Sequence, residues 1–243
     1  MARLRIDVWS DIACPWCYVG KRRLEAALDG FEHKAEVEVV WRAFELDPEA
    51  PRERAEDGPY ARRLAAKYRT SEAEAQQRID HLVRTAAGDG LELRFDRIRP
   101  GNTFDAHRVL HLADSARRQD AVKERFLRGY LSDGRAIGDP AVVRELAVDA
   151  GLDARQVDEV LAGDRYAAEV RADEALAREL GIRGVPCFVM DRRLGVSGAQ
   201  PVEVLAGALA EAWKTLPPGA AAASPAADDE TAEGAVCGPD GCA

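Results

Sequence analysis

The chain lacks several features of membrane, secreted and nucleic-acid-binding proteins. No apolar run approaches the roughly 20 residues of a membrane-spanning helix, and no long apolar stretch of the secretory type opens the sequence. Positive charge is also in short supply, since 34 Lys and Arg stand against 43 Asp and Glu, for a net charge of −9. A nucleic-acid footprint needs clustered basic residues. We therefore expect a cytoplasmic protein without a nucleic-acid or membrane partner.

Cysteine is scarce as well. Five cysteines in 243 residues are too few for a disulfide-dense scaffold. Four of them form two close pairs, Cys14 with Cys17 and Cys237 with Cys242. In a reducing compartment, such pairs indicate redox chemistry or metal binding. The fifth, Cys187, lies in an apolar strand-like run, which favours a buried structural thiol.

The first pair belongs to the motif Cys14-Pro15-Trp16-Cys17, which follows a strand-like run and opens a helical pattern. Two intervening residues in a first helical turn bring the two sulfurs within bonding distance, and the helix N-terminus favours a thiolate. Pro15 suits the first turn because its missing N–H costs nothing there. We predict Cys14 as an exposed nucleophile with a lowered pKa and Cys17 as the resolving thiol. Half of a zinc site and two ordinary core cysteines are the alternatives.

The order of predicted elements indicates an α/β fold. An alternating run over 3–9, a helix from Pro15 to about Leu28 and a β-prone run over 36–46 form a βαβ unit, so these strands should be parallel. Ser71 and Glu74 have the spacing of a capping box. The later helical patterns cover 60–69, 72–87, 102–118, 121–131, 140–150, 153–162, 164–180 and 201–216. The remaining predicted pieces are a short extended segment at 91–95, a strand over 184–190 and its hairpin partner at 192–196.

These patterns divide the chain into a domain over residues 1–216 and a tail over 217–243. A helical insertion of about 52–165 interrupts the domain. The tail is rich in Ala, Pro, Gly and acidic residues, which cannot bury enough apolar surface to fold. We therefore expect a flexible tail that carries a C-x4-C pair.

The Cys-Pro-Trp-Cys motif, the helical insertion and the late Gly-Val-Pro at 184–186 resemble, in this order, the DsbA-like branch of the thioredoxin superfamily. More narrowly, the chain is similar to cytoplasmic FrnE-type thiol–disulfide oxidoreductases over residues 3 to about 216. Further support comes from the segments 41–48 (WRAFELDP), 102–108 (NTFDAHR) and 196–200 (VSGAQ). The resemblance implies a thioredoxin-like fold with an all-helical insertion between the βαβ half and a C-terminal ββα half. It also implies protein disulfide oxidoreductase or isomerase activity without a cofactor.

The resemblance further implies that the Val185–Pro186 bond is cis and lies opposite the cysteine pair. The backbone of Val185 would then pair with an extended substrate; a trans proline at a strand start is the alternative. Trp16, Asn102 and His107 are the other candidate substrate-binding residues, although His107 and Asn102 would also suit a plain helix contact. The expected substrates are proteins or small molecules with thiols or disulfides, glutathione among them.

Other polar residues have two interpretations each. Asp7, Asp11 and Glu45 could relay a proton to the resolving thiol, or they could be solvated or salt-bridged carboxylates. His107 and His111 lie one turn apart, but no third ligand follows at suitable spacing, so no metal is expected.

The tail pair Cys237 and Cys242 flanks a Gly-Pro-Asp-Gly turn, which lets the two sulfurs meet. A flexible linker of about twenty residues reaches roughly 25 Å, enough to visit Cys14 from the last helix. We predict a second redox pair that exchanges electrons with the first, a feature that some FrnE-type proteins share. An inert tail and a four-thiolate zinc site with Cys14 and Cys17 are the alternatives.

Two other functions compete with thiol–disulfide exchange. The first is a glutathione-dependent isomerase or transferase of the same fold, although proteins of this kind, which resemble kappa glutathione transferases and hydroxychromene-carboxylate isomerases, carry serine at the position of Cys14. The second is a non-enzymatic chaperone or thiolate metal-binding module. The cysteine pair favours redox chemistry over both.

Overall fold

A four-stranded sheet forms the centre of the molecule, in a computed structural model that describes residues 4–52 and 58–216. Its strands are β1 (Leu4–Ser10), β2 (Val37–Ala43), β3 (Cys187–Met190) and β4 (Leu194–Ser197), in the spatial order β2-β1-β3-β4. β1 and β2 are parallel, as predicted from the βαβ pattern. β3 runs antiparallel to β1 and forms the predicted hairpin with β4.

Nine helices accompany the sheet in the described part of the chain. Most lie within a few residues of their predicted ranges, and the Ser71–Glu74 capping box is present. They are α1 (Pro15–Asp29), α2 (Tyr60–Tyr68), α3 (Glu72–Gly88), α4 (Phe104–Ser115), α5 (Gln119–Leu131), α6 (Pro140–Asp149), α7 (Ala154–Ala162), α8 (Ala167–Glu179) and α9 (Val202–Lys214). None of these described helices is long and apolar enough to cross a bilayer.

The alternation of β1 explains how the helices cover the sheet. Leu4, Ile6 and Val8 point to one face, where they pack with Leu24 of α1 and with the apolar side of α9. Trp9 points to the other face and packs in a smaller cluster with α8. The sheet is therefore covered on both faces, and β1 lies in its middle with its C-terminal end leading into α1.

Helices α2 to α7 pack around a separate apolar interior. The loop before α1 and the first turns of α1 contribute Ile12, Tyr18 and Val19 to that interior. The extended piece predicted at 91–95 does not pair with the sheet: Leu91, Leu93 and Phe95 are buried there from an irregular segment. Helices surround this segment, so its alternating apolar residues find burial without a pairing strand. The boundaries of about 52 and 165 for the insertion stay a prediction.

Two polar side chains bind the backbone of β2 from the helices. The Gln119 amide accepts from the Trp41 N–H at 2.8 Å and donates to the Trp41 carbonyl at 3.0 Å. Asp173 of α8 accepts from the Ala43 N–H at 2.9 Å. These bonds join α5 and α8 to the strand that precedes the insertion.

Candidate active site

The Cys14–Cys17 pair lies where β1 ends and α1 begins. Cys14 is the N-cap residue of α1 with extended backbone, and Pro15 occupies the first helical position. The Cys17 N–H donates to the Cys14 carbonyl at 3.0 Å, so both cysteines belong to one helical turn. Both are free thiols. The βαβ connection thus places the motif as its spacing predicts.

The two sulfurs differ in their access to solvent. Cys14 lines a cavity of 490 Å³, and Cys17, with no exposed surface, lies behind it. The prediction that Cys14 is exposed is wrong, because only 5% of its surface is accessible. The cavity wall and the 185–186 loop cover it, and both come from distant parts of the sequence. Substrate therefore has to reach Cys14 through the cavity.

The predicted lowering of the Cys14 pKa is also wrong for the dithiol form. Its hydrogen bond with Cys17, together with burial, raises the pKa of the Cys14 thiol well above its ordinary value. Burial opposes ionisation of Cys17 too, but the hydrogen bond with Cys14 and the charge of Lys123 outweigh it and lower the Cys17 pKa. Of the two thiols, Cys17 is therefore the one whose ionisation its surroundings favour.

The Val185–Pro186 bond is cis, as the resemblance implies, and faces the cysteine pair. The Cys14 Sγ lies 3.6 Å from the Val185 carbonyl oxygen. A Cβ atom on Gly20 would come 2.8 Å from the Pro186 Cγ, so glycine there permits the close approach of α1 to this loop. The chain thus brings Cys14, Val185 and Pro186 together from its two ends.

The cavity beside Cys14 is lined mostly by apolar side chains, together with basic residues and the carboxylates of Asp11 and Asp47. Trp16, a predicted substrate-binding residue, lines it together with Tyr60, whose pKa burial raises to about 12. Arg63, Lys67 and Arg78 from α2 and α3 supply positive charge at the rim. Among the described residues none of these three cations has a carboxylate partner within 4.0 Å. The insertion therefore builds the wall opposite the cysteine pair.

Asp11 and His107 form a buried pair behind this cavity. The Nε2 of His107 lies 3.4 Å from the Asp11 Oδ1, and the Leu46 N–H donates to the Asp11 Oδ2 at 2.8 Å. Burial opposes ionisation of Asp11, but His107 and Leu46 hold its pKa below the ordinary range. Burial also lowers the pKa of His107. Asp11 lines the cavity and His107 does not, so direct substrate binding by His107 stays a prediction.

The other predicted acids and amides serve as internal partners. Asp7 is buried and accepts from the Arg42 Nε at 2.8 Å, which is the salt-bridged alternative. Glu45 pairs with Arg171 and accepts from the Asn102 Nδ2 at 3.3 Å. Asn102 does not line the cavity. A role for Asn102 in substrate binding therefore also stays a prediction.

Cys187 is buried in the small cluster with Trp9, as expected for a structural thiol, and burial raises its pKa. His107 and His111 do not converge, since His111 pairs with Asp173 at 3.0 Å. The described residues contain no group of three or more His, Cys, Asp or Glu that could hold a metal ion. Cys237 and Cys242 lie outside the described residues.

Sequence reasoning missed Lys123, which has no exposed surface and whose Nζ donates to the carbonyl of Ser10, just before the loop that carries the cysteine pair. A signal was available in the helical pattern. Val122, Phe126 and Tyr130 form the apolar side of α5, and Lys123 falls inside that stripe. A charged residue at such a position is rare enough to indicate a specific role.

Comparison with known proteins identifies the family. Residues 5–210 match the model of the DSBA-like thioredoxin domain. The chain belongs to this family. A probable DsbA oxidoreductase from Streptomyces coelicolor has 47% identity and a TM-score of 0.83, with 99% of each chain covered. These two similarities support thiol–disulfide oxidoreductase activity.

More distant proteins are also similar to this chain. The cytosolic disulfide reductase DsbM from Pseudomonas aeruginosa, also solved with GSH, has 18% identity and a TM-score of 0.61, over 86% of this chain and 98% of that chain. The uncharacterized protein YwbO of Bacillus subtilis is 26% identical over 87% of this chain and 98% of its own length. The similarity to DsbM shows a shared fold.

Proposed function

We propose that the chain exchanges thiols and disulfides through a reversible Cys14–Cys17 disulfide. The observation that carries this proposal is the asymmetry of the pair: the Cys14 Sγ faces the cavity and the Val185 carbonyl, and Cys17 is enclosed one turn behind it. An accessible sulfur can form a mixed disulfide, and an enclosed neighbour can resolve it.

The exchange balances with these two thiols alone. Once the Cys14 thiol has lost its proton to water, its thiolate attacks a substrate disulfide and releases one substrate thiolate, which takes a proton from water. Cys17 then loses its proton and attacks the Cys14 sulfur, which releases the second substrate thiolate. The substrate gains two electrons, and the pair becomes a disulfide. The reverse sequence oxidises a substrate dithiol.

Single cysteine variants test this assignment. We expect Cys14→Ser to abolish insulin reduction and Cys17→Ser to accumulate a mixed disulfide that mass spectrometry detects. Cys187→Ser is the matched control, because this thiol is buried away from the cavity. Full activity of Cys14→Ser would show that the reaction takes place elsewhere.

A second candidate is action on glutathione or on glutathionylated substrates, either as redox partner or as the substrate of an isomerase. The cavity volume of 490 Å³ suits a small peptide, and the rim cations suit its carboxylates. We expect Arg63→Gln to raise the KM for glutathione disulfide and to leave that for the neutral hydroxyethyl disulfide unchanged. An equal effect on both would argue against charge recognition. Turnover of an isomerisation substrate by Cys17→Ser would favour the isomerase.

We also propose that the tail pair Cys237 and Cys242 exchanges with Cys14, as their spacing and the linker length suggest. Truncation after Leu216 is expected to slow re-oxidation of the Cys14–Cys17 pair, which quenched-flow alkylation measures. A Cys237→Ser, Cys242→Ser double variant of the full chain is the control for tail length. Unchanged kinetics in both would contradict the shuttle. The FrnE subtype and the cytoplasmic location stay predictions.

A further inference from the structure

Two lysines are buried near the start of the molecule's first helix, and they differ in their partners. Lys21 of α1 is 1% exposed and contacts three carboxylates, those of Glu25, Asp120 and Glu124, with the last two at 3.2 and 3.3 Å. These carboxylates therefore balance the charge of Lys21 directly. Both lysines also lie over the ring of Trp41. The two sites form a natural comparison.

Lys123 of α5 has no such balance. It is fully buried, and its Nζ donates to the Ser10 carbonyl at 3.1 Å. Within residues 4–52 and 58–216, no carboxylate oxygen lies within 4.0 Å of this ammonium. A buried charge without a counter-charge is destabilising. The counter-charge of Lys123 therefore has to come from another ionisable group nearby.

Few ionisable groups lie close enough to Lys123 to serve as its counter-charge. Ser10 is the last residue of β1, and the loop that follows it carries Asp11 and the cysteine pair. Asp11 interacts with Lys123 through charge, but its own oxygens are already held by His107 and by two backbone N–H groups. The positive charge of Lys21 also acts on Lys123, and that of Lys123 acts on His107. The thiols of Cys14 and Cys17 are the remaining ionisable neighbours.

We propose that the helical insertion sets the redox equilibrium of the Cys14–Cys17 pair by placing the Lys123 ammonium behind it as the counter-charge of the thiolate. Lys123 is a positioning residue in this role and does not react. The inference rests on the proposed function, since it requires a reversible disulfide.

The charge balance gives the direction of the effect. A substrate dithiol that reduces the disulfide supplies two electrons and two protons. The pair keeps one proton and one negative charge, which Lys123 balances, and the second proton goes to water. In the disulfide form the thiolate is gone and the ammonium is left without a counter-charge. Lys123 therefore favours the dithiol form, which makes the pair a stronger oxidant.

Equilibration with glutathione tests the proposal in the full chain with Cys237→Ser and Cys242→Ser, so that only the first pair exchanges. We expect Lys123→Met and Lys123→Gln to disfavour the dithiol form about tenfold, equivalent to about 30 mV. Glutamine is uncharged but still carries a hydrogen-bond donor. The thiolate absorbance of the pair is expected to titrate about one pH unit higher in both variants, because a tenfold effect on thiolate formation is one unit.

Lys21→Met is the matched control, because it removes a buried lysine whose charge is already balanced. It is expected to change both readouts much less than Lys123→Met does. The proposal is overturned if Lys123→Gln has the wild-type glutathione equilibrium and the wild-type thiolate titration. If Lys123→Met does not fold, Lys123→Gln alone tests the proposal. A wild-type chain that forms no reversible disulfide would instead contradict the proposed function.

Discussion

Glu45 has a carboxyl group that titrates near neutrality. Burial raises its pKa to about 7; Arg171 opposes this shift and the charge of Glu174 adds to it. The ordinary pKa of this carboxyl group is 4.5. Between pH 4.5 and about 7, the folded chain therefore keeps a proton that the unfolded chain has released. Its contribution to stability is complete below about pH 4.5 and is lost as the pH rises through about 7.

We therefore expect Glu45→Gln to flatten the fall in unfolding free energy between pH 5 and 7.5. The expected difference in unfolding free energy between wild type and variant is about 1.4 kcal/mol for each unit of the pKa shift. Solvent screening at the half-exposed Arg171 reduces that shift. Urea unfolding at both pH values measures it, with the exposed Glu203→Gln as control. A wild-type pH slope in Glu45→Gln would contradict the assignment.

Single residues also show where sequence reasoning succeeds and where it fails. The spacing of Cys14 and Cys17 located the reactive turn, because a local helix start determines that geometry. The enclosure of Cys14 depends on Val185 and on Tyr60, whose positions follow from long-range packing. A sequence pattern gives no access to such contacts, and for this reason the exposure and the pKa of Cys14 were mispredicted.

At the scale of elements, the close approach of α1 to the 185–186 loop depends on Gly20. A Cβ atom there would lie 2.8 Å from the Pro186 Cγ and 3.2 Å from the Phe188 Cζ. We expect Gly20→Ala to push the loop away from Cys14, to cost about 1–3 kcal/mol of stability and to slow insulin reduction.

Gly207 on α9 is the matched control, since a Cβ there meets nothing within 4 Å. Alanine at this exposed helical position is expected to add about 0.5–1 kcal/mol. Thermal unfolding and the exchange rate are measured for both variants. If the two substitutions have the same effect, the close approach at Gly20 does not matter.

The start of α3 gives a separate prediction. The Ser71 Oγ accepts from the Glu74 N–H at 3.2 Å, and Glu74 accepts from the Ser71 N–H at 3.0 Å. Ser71→Ala is expected to lower the free energy of unfolding by about 1 kcal/mol. Ser115 is the last residue of α4 and has no capping role. Ser115→Ala is therefore expected to have little effect. Equal urea midpoints for the two variants would contradict the capping role.

At the scale of the whole molecule, the insertion and the sheet share their contacts. Gln119 binds both backbone groups of Trp41, and Ile12, Tyr18 and Val19 lie in the interior of the insertion. Because neither part buries its surface alone, we expect one cooperative unfolding transition. Tryptophan fluorescence, which reports mainly on the sheet side, and far-UV circular dichroism, which reports mainly on the helices, are expected to coincide.

Gln119→Ala is expected to lower the free energy of unfolding by about 1–3 kcal/mol, and with it the common midpoint, because it leaves buried groups of Trp41 without partners. Gln156→Ala on α7 is the surface control, since its side chain is exposed. Two separate transitions in the wild type would show that insertion and sheet unfold independently.

The fold as a whole was more predictable than the site. The βαβ unit, the late hairpin and most helices followed from local periodicity, since each element has its own apolar face. The segment 91–95 pairs with no strand although its apolar residues alternate, because alternation alone cannot distinguish a strand from a coil buried among helices. Lys123 was overlooked for a similar reason, because its meaning depends on which loop α5 packs against.

The bonds from Gln119 and Asp173 to β2 have a consequence for aggregation. β2 is an outer strand of the sheet, and an outer strand with free N–H and C=O groups can pair with another molecule. In the folded chain the side chains occupy these groups at Trp41 and Ala43. A chain that refolds with α5 and α8 still undocked exposes this strand, so intermolecular β-pairing during refolding competes with the docking of these two helices.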